Sequence, residues 1–89
     1  MRKVEKELLS ITQEECAEVI QAVSKINRFG RDTEWQGVTN KQHLAIEIGD
    51  FLAVLKILVE ETDINITIDD LESAVDAKLN KLEMYLPHN

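Results

Sequence analysis

Apolar residues recur at helical spacing through most of the chain and mark out three long segments. In the first, Val4, Leu8 and Ile11 open a stripe that continues at the same spacing through Glu15, Glu18 and Ala22. Residues three and four apart share one helix face. A neighbouring stripe of Leu9, Cys16, Ile20, Val23 and Ile26 suits ordinary packing. The period predicts a helix from about Lys3 to Arg28, ended at Phe29-Gly30 with Gly30 as a left-handed C-terminal residue. Ser10-Ile11-Thr12-Gln13 fits a capping box and offers a later start, but Val4 and Leu8 keep the period and favour the longer helix.

Arg31 to Val38 reads as a loop with polar residues, Trp35 and Gly37. Thr39-Asn40-Lys41-Gln42 fits a second capping box. The helix it opens runs from about Asn40 to Thr62, with Leu44, Ile48, Phe51, Leu55 and Leu58 as its buried stripe and Glu47, Asp50 and Val54 alongside. Asp63 to Ile66 is a short connection. Thr67 then caps a third helix, with Asp70 at the fourth position and Asp69 beside the positive helix end. Ile68, Leu71, Val75, Leu79, Leu82 and Leu86 give this helix a clear apolar face, and Pro87 stops it. The expected fold is all-α: three main helices in an antiparallel bundle, with residues 1–89 forming a single domain.

Composition narrows this further. The chain has 89 residues, 44% hydrophobic but only 4% aromatic, so its core must be aliphatic. A lone chain of this size buries a modest share of its surface, which makes homo-oligomerisation an expectation. A net charge of −7 repels nucleic-acid polymers, and no basic stripe reverses it. A phosphorylated small molecule would be repelled as well unless metal ions mediate its binding. Cys16 has no partner for an intramolecular disulfide, and no Cys/His pattern of zinc type exists, so a reducing cytoplasm is the simplest compartment. The residues after Met1-Arg2-Lys3 are charged rather than a continuous apolar run, so no signal peptide is expected. Ile46 to Val59, the longest apolar-rich segment, is broken by Glu47, Asp50 and Lys56 and is too short to span a membrane.

The candidate chemistry lies in four acids on the apolar sides of the first two helices. Glu15 and Glu18 stand at i and i+3, as do Glu47 and Asp50, and each pair shares a helix face. Two such faces brought together would hold four negative charges in one partly desolvated place, an arrangement that needs a cation between them. Hard cations such as Mg²⁺ take oxygen ligands of this kind. Di-iron bundles add a Glu-x-x-His element, but neither His43 nor His88 lies three residues after a glutamate. A single Glu-x-x-Glu is most often a solvated surface pair; two pairs embedded among apolar residues shift the balance towards a metal site. Glu14 stands at the edge of this group, as a further ligand, a water-positioning base or an exposed residue.

These same residues resemble the MazG-like all-α nucleoside triphosphate pyrophosphohydrolases. Glu14-Glu15-Cys16-Ala17-Glu18 matches that family's EExxE element and Glu47-Ile48-Gly49-Asp50 its ExxD element, with a fitting separation between them. The flanking runs Ala17-Glu18-Val19-Ile20-Gln21-Ala22 and Gly49-Asp50-Phe51-Leu52 share its character. The resemblance extends from about Leu8 to Val59, and Lys25-Ile26-Asn27-Arg28-Phe29-Gly30 is most similar to small phage-type members. It implies packed helices completed by dimerisation, or by a dimer of dimers. It further implies Mg²⁺-dependent cleavage, with Mn²⁺ as a substitute, of a nucleoside triphosphate into the monophosphate and pyrophosphate. Carried over by motif, Glu15, Glu18, Glu47 and Asp50 are the metal ligands, and Glu14 or Glu15 orients the attacking water. Relatives often end their last helix with a Lys…Asn…Lys-Tyr-Pro pattern that helps hold phosphates; Lys78, Asn80, Lys81, Tyr85 and Pro87 echo it at a different spacing.

Other residues have two readings each. Lys25 and Arg28, with Arg31 behind them, either clamp phosphates or favour the negative end of the first helix. Trp35 either stacks on a nucleobase or packs its loop against the core or a subunit interface, the reading favoured from sequence. His43 suits a capping or exposed role more than a substrate contact. Cys16 is most simply a small core residue, and Tyr85 either a helix-end packing residue, the favoured reading, or a hydrogen-bond donor to substrate phosphate. The competing functional class is a non-catalytic helical interaction or nucleotide-sensing module, which the amphipathic helices would serve equally well.

Overall fold

The computed structural model describes residues 2–61 and 64–86. Helix α1 spans Lys3–Phe29, the short strands β1 and β2 span Glu34–Trp35 and Val38–Thr39, and helices α2 and α3 span Asn40–Glu61 and Ile68–Glu83. The chain is all-α apart from the small hairpin. The expected positions of Thr62, Asp63 and Pro87 lie outside the described residues.

α1 takes the longer of its two readings, because no proline or glycine interrupts the period before Gly30. Ser10 caps nothing; the Thr12 hydroxyl instead donates to the Leu8 carbonyl at 2.7 Å within the helix. At the start of the helix the buried Glu5 carboxylate pairs with the exposed Arg2 at 2.5 Å. Gly30 differs from expectation. Its φ of 92° is positive, but its ψ of 157° is extended rather than left-handed helical, so it turns the chain sharply away from the helix, a conformation open to glycine.

The segment read as a loop folds into an antiparallel hairpin in which Glu34 pairs with Thr39 and Trp35 with Val38. Gln36 and Gly37 form its turn with φ of 54° and 82°, the two positive values that a type I′ turn requires. Asn40 locks the hairpin to the helices. Its amide nitrogen donates to the Gly30 carbonyl at 2.9 Å, and its backbone N–H to the Thr33 carbonyl at 3.0 Å. The Thr39–Gln42 capping box forms reciprocally, at 2.9 and 3.1 Å.

α1 and α2 pack as an antiparallel pair; no other helix pair has comparable packing among the described residues. Ala22 and Leu58 are the buried apolar residues, 3% and 5% exposed. The stripe expected to do ordinary packing on α1 does so only at its ends: Leu9 and Ile26 are half-buried while Cys16, Ile20 and Val23 are exposed, because α2 covers the face carrying Glu15 and Ala22. α3 is opened by the expected box, with Thr67 and Asp70 bonded both ways at 3.0 Å. Near its first turn, Ile68 and Leu71 share a groove with Leu52, Leu55 and Val59 of α2. Ile68, Leu71, Val75 and Leu79 are exposed. The helix closes at Glu83, so Leu86 lies beyond it. The molecule is consequently flat, 42 × 37 × 14 Å, with a radius of gyration of 16.0 Å against about 12 Å for a compact chain of this length.

Candidate metal centre

The antiparallel pairing of α1 and α2 brings their acids together. One carboxylate oxygen each from Glu15, Glu18 and Glu47 lies within 4.8 Å of the others. Glu15 and Glu47 are half-buried and Glu18 is exposed. The Oε2 atoms of Glu15 and Glu47 are buried with no hydrogen-bond partner. Unsatisfied buried acceptors are costly and call for a donor, a water or an ion.

The electrostatics carry the same message. Desolvation, then the charge of Glu18 and those of Asp50 and Glu14, push the Glu15 carboxyl above its usual range. Hydrogen bonding to Glu18 is the main cause that raises Glu47, followed by desolvation, the charge of Glu18 and that of Asp50; His43 opposes them. Carboxylates this close hold protons in common when no cation separates them. His43 Nε2 lies 3.2 Å from Glu47 Oε1, one helical turn away, and orients that carboxylate.

The donor set is entirely oxygen, supplied by rigid helices, with two buried oxygens unpaired. That set fits a hard divalent cation and not a thiolate- or imidazole-loving one. Asp50 is exposed, one turn beyond Glu47 and outside the close trio, yet its charge is felt by both Glu15 and Glu47. Glu14 is exposed at the rim.

The basic candidates separate. Lys25 Nζ lies over the Trp35 ring, 5.9 Å from its centroid. The Arg28 guanidinium sits 5.1 Å from the Phe29 ring centroid, and Arg31 pairs with Asp32 at 3.4 Å. Lys78, Lys81 and Tyr85 are exposed on or just after α3, and no extensive packing of that helix carries them to the acids of their own chain. Trp35 is 68% exposed and does not anchor its loop on a core; it walls an open cleft of about 480 Å³ beneath the hairpin. Cys16 is exposed rather than a core residue. Sequence reasoning missed two features: the cleft, which the dipeptide Gln36-Gly37 between two short β-prone pairs signals, and the hold of His43 on Glu47, which their i, i+4 spacing signals.

The fold and site define an all-α helical hairpin with converging carboxylates from both arms, a donor set that suits a hard cation. The chain belongs to the MazG nucleotide pyrophosphohydrolase domain family, whose model matches residues 3–89. No curated protein matches the chain, and no solved structure does. Among the described residues, no helix is long and apolar enough to cross a membrane.

Proposed function

We propose that this chain hydrolyses nucleoside triphosphates, ribo- or deoxyribo-, to the monophosphate and pyrophosphate, with Mg²⁺ as its metal. The observation that carries the reading is the trio of carboxylates with two buried, unpartnered oxygens on the facing arms of α1 and α2. Family membership supports nucleotide pyrophosphohydrolase chemistry in general.

Glu15, Glu18, Glu47 and Asp50 hold the cation, and Mn²⁺ can replace Mg²⁺ in such a set. When bound, it supplies charge neutralisation for the triphosphate, polarisation of the α-phosphate and a more acidic water. Glu14 or Glu15 accepts a hydrogen bond from the attacking water and aims it at the α-phosphorus. The new P–O bond forms as the bond to the α–β bridging oxygen breaks, pyrophosphate departs, and the water's proton passes to a carboxylate and on to solvent. His43 keeps Glu47 in register for this work. Lys25 and Arg28, farther along α1, supply positive charge to the phosphates.

The active form is a homodimer or homotetramer. The uncovered face of α3 supports this, as does the small buried core. A second copy seated on that face brings Lys78, Lys81 and Tyr85 of one chain towards the acids of the other. The setting is a cytoplasmic one.

The test is to incubate purified protein with each NTP and dNTP plus Mg²⁺ and to measure pyrophosphate. Release with at least one substrate, abolished by EDTA, is the expected result. No release from any of them at high enzyme concentration overturns the reading, and metal-dependent nucleotide binding without turnover points instead to a sensing module.

A further inference from the structure

The two helices that carry the acids share little buried apolar surface. Among the described residues, Ala22 on α1 and Leu58 on α2 are the buried apolar side chains. Apolar burial is non-directional. It brings the helices together without fixing how far one slides or tilts along the other. Metal ligands need more than proximity, because their distances tolerate deviations of only about 0.2 Å.

Asn40 supplies the missing direction. It is 8% exposed, and its side-chain amide donates to the Gly30 carbonyl at 2.9 Å. The Gly30 N–H donates in turn to the Ile26 carbonyl of α1 at 2.8 Å. Gly30 is thus bonded to both helices, at a φ of 92° that L side chains rarely adopt. Two further bonds join the start of α2 to the hairpin: the Asn40 N–H donates to the Thr33 carbonyl at 3.0 Å, and the Lys41 N–H to the Arg31 carbonyl at 2.9 Å. They occupy first-turn donors that a helix leaves unsatisfied. This end of α2 is a built joint.

From the joint, one face of α2 carries Asn40, His43 and Glu47 at i, i+3 and i+7. His43 Nε2 reaches Glu47 Oε1 at 3.2 Å. Glu47 lies about 10 Å along α2 from Asn40, and Glu18 about 18 Å along α1 from Gly30, so a tilt of a few degrees at the joint displaces either carboxylate by about 1 Å.

We infer that Asn40 is a positioning residue of the metal centre: its bond to Gly30 fixes the register of α2 on α1, and with it the convergence of Glu15, Glu18 and Glu47. A buried and satisfied polar contact specifies one arrangement where apolar packing admits several. The inference rests on the proposed metal site and not on nucleotide hydrolysis.

Asn40→Leu keeps the approximate size, removes the donor and adds no charge. Mn²⁺ binding to the whole chain, without nucleotide, is read from the electron paramagnetic resonance of the free ion. Asn40→Leu is expected to raise the Kd roughly tenfold, the lower end of what lost supporting contacts cost a metal site. Gly30→Ala strains the other partner of the same bond and shifts Kd in the same direction. The double variant binds no more weakly than the weaker single one, because both act on one contact. Leu58→Val is the control: it loosens buried packing eleven residues beyond Glu47. It lowers Tm but leaves Kd within about twofold of wild type, as a distant, independent site should.

A second reading needs no metal. The exposed Cys16 and an Ala45→Cys substitution on α2, also exposed, are spin-labelled, and the chain is diluted in unlabelled protein and held in EDTA. Asn40→Leu is expected to broaden the separation between the labels. An unchanged Kd or an unchanged separation in Asn40→Leu overturns the inference. So does an equal loss of affinity in Leu58→Val, which makes Asn40 a residue of stability alone. A wild-type chain that binds no Mn²⁺ is a failure of the proposed metal, and the label separation then decides the inference by itself.

Discussion

The α1–hairpin–α2 unit and α3 use the same materials in opposite ways. In the first, acids take interior positions: Glu15 and Glu47 are half-buried, each with an unpaired buried oxygen. In α3, the acids Asp69 and Asp70 sit in the exposed first turn, where they favour the helix, while Val75 and Leu79 are 55% and 59% exposed. One region buries charge that is unfavourable without a counterion; the other exposes apolar surface that is unfavourable without a cover. The proposed function supplies what each lacks: a cation in one case and a second copy of the chain in the other.

The sharpest way to break this contrast is to neutralise an acid of the trio. Glu18→Gln or Glu47→Gln is expected to lower kcat/KM by at least about 100-fold, since even outer-shell partners of metal ligands cost 10–100-fold. The same substitution removes like-charge repulsion, so metal-free protein should melt at a higher temperature than wild type while its Mg²⁺-induced rise in Tm shrinks. Retained turnover in both variants would exclude this ligand set. On the other side, Val75→Glu or Leu79→Glu puts a charge on the bare face of α3. Sedimentation should then show the oligomer falling to monomer, with the metal-free acids undisturbed. A monomeric wild-type protein would remove the cover that α3 is proposed to have.

That contrast also separates what was readable in sequence from what was not. The helices followed from period and caps: the boxes at Thr39 and Thr67 form as their residues imply. The convergence of Glu15, Glu18 and Glu47 followed because two acids at i, i+3 on an apolar stripe must face whatever packs there. The second apolar stripe of α1 could not be apportioned from sequence: Leu9 and Ile26 at its ends are half-buried, but Ile20 and Val23 read as core and emerge exposed. The apolar face of α3 was equally legible as a face, but amphipathicity says only that a surface seeks burial, not whether its own chain provides it. The hairpin showed no alternation to read in its two-residue strands, so its one signal was the turn dipeptide Gln36-Gly37.

pH sharpens the contrast, because the two regions respond with opposite sign. Glu15 and Glu47 bind protons more tightly in the folded chain than at the ordinary value of 4.5. Between that value and the raised ones the folded state holds more protons than the unfolded state, so stability falls as pH rises through the window. Metal-free protein is expected to lose Tm on going from mildly acidic towards neutral pH, and saturating Mg²⁺ should flatten the loss. Asp70 behaves conversely. Its bonds from the Thr67 backbone and side chain hold it below the ordinary 3.8. That contribution is present above 3.8 and disappears as pH falls through the depressed value. Thermal melts across pH, with and without Mg²⁺, check the first. Amide-resolved NMR of the first turn of α3 checks the second, and a metal-free Tm that rises steadily towards neutrality would contradict the assignment of the site.

The smallest effect compares the same cap in both regions. Thr39 and Thr67 each accept a backbone N–H bond at their helix start, at 3.1 and 3.0 Å, and replacing such a threonine with alanine costs about 1 kcal/mol. Thr39 opens a helix already packed on α1 and tied by Asn40 to the Gly30 carbonyl, so Thr39→Ala should lower Tm equally at all protein concentrations. Thr67 opens a helix whose apolar face is exposed in the single chain and is covered, under the proposed function, by a second copy. Its loss weakens the folded form through assembly, and the effect on apparent stability then depends on protomer concentration by mass action. Melting both variants over a wide dilution series distinguishes them: parallel displacement from wild type for Thr39→Ala, and a gap that widens on dilution for Thr67→Ala. If the two variants track each other at every concentration, α3 is no more dependent on a second chain than α2 is.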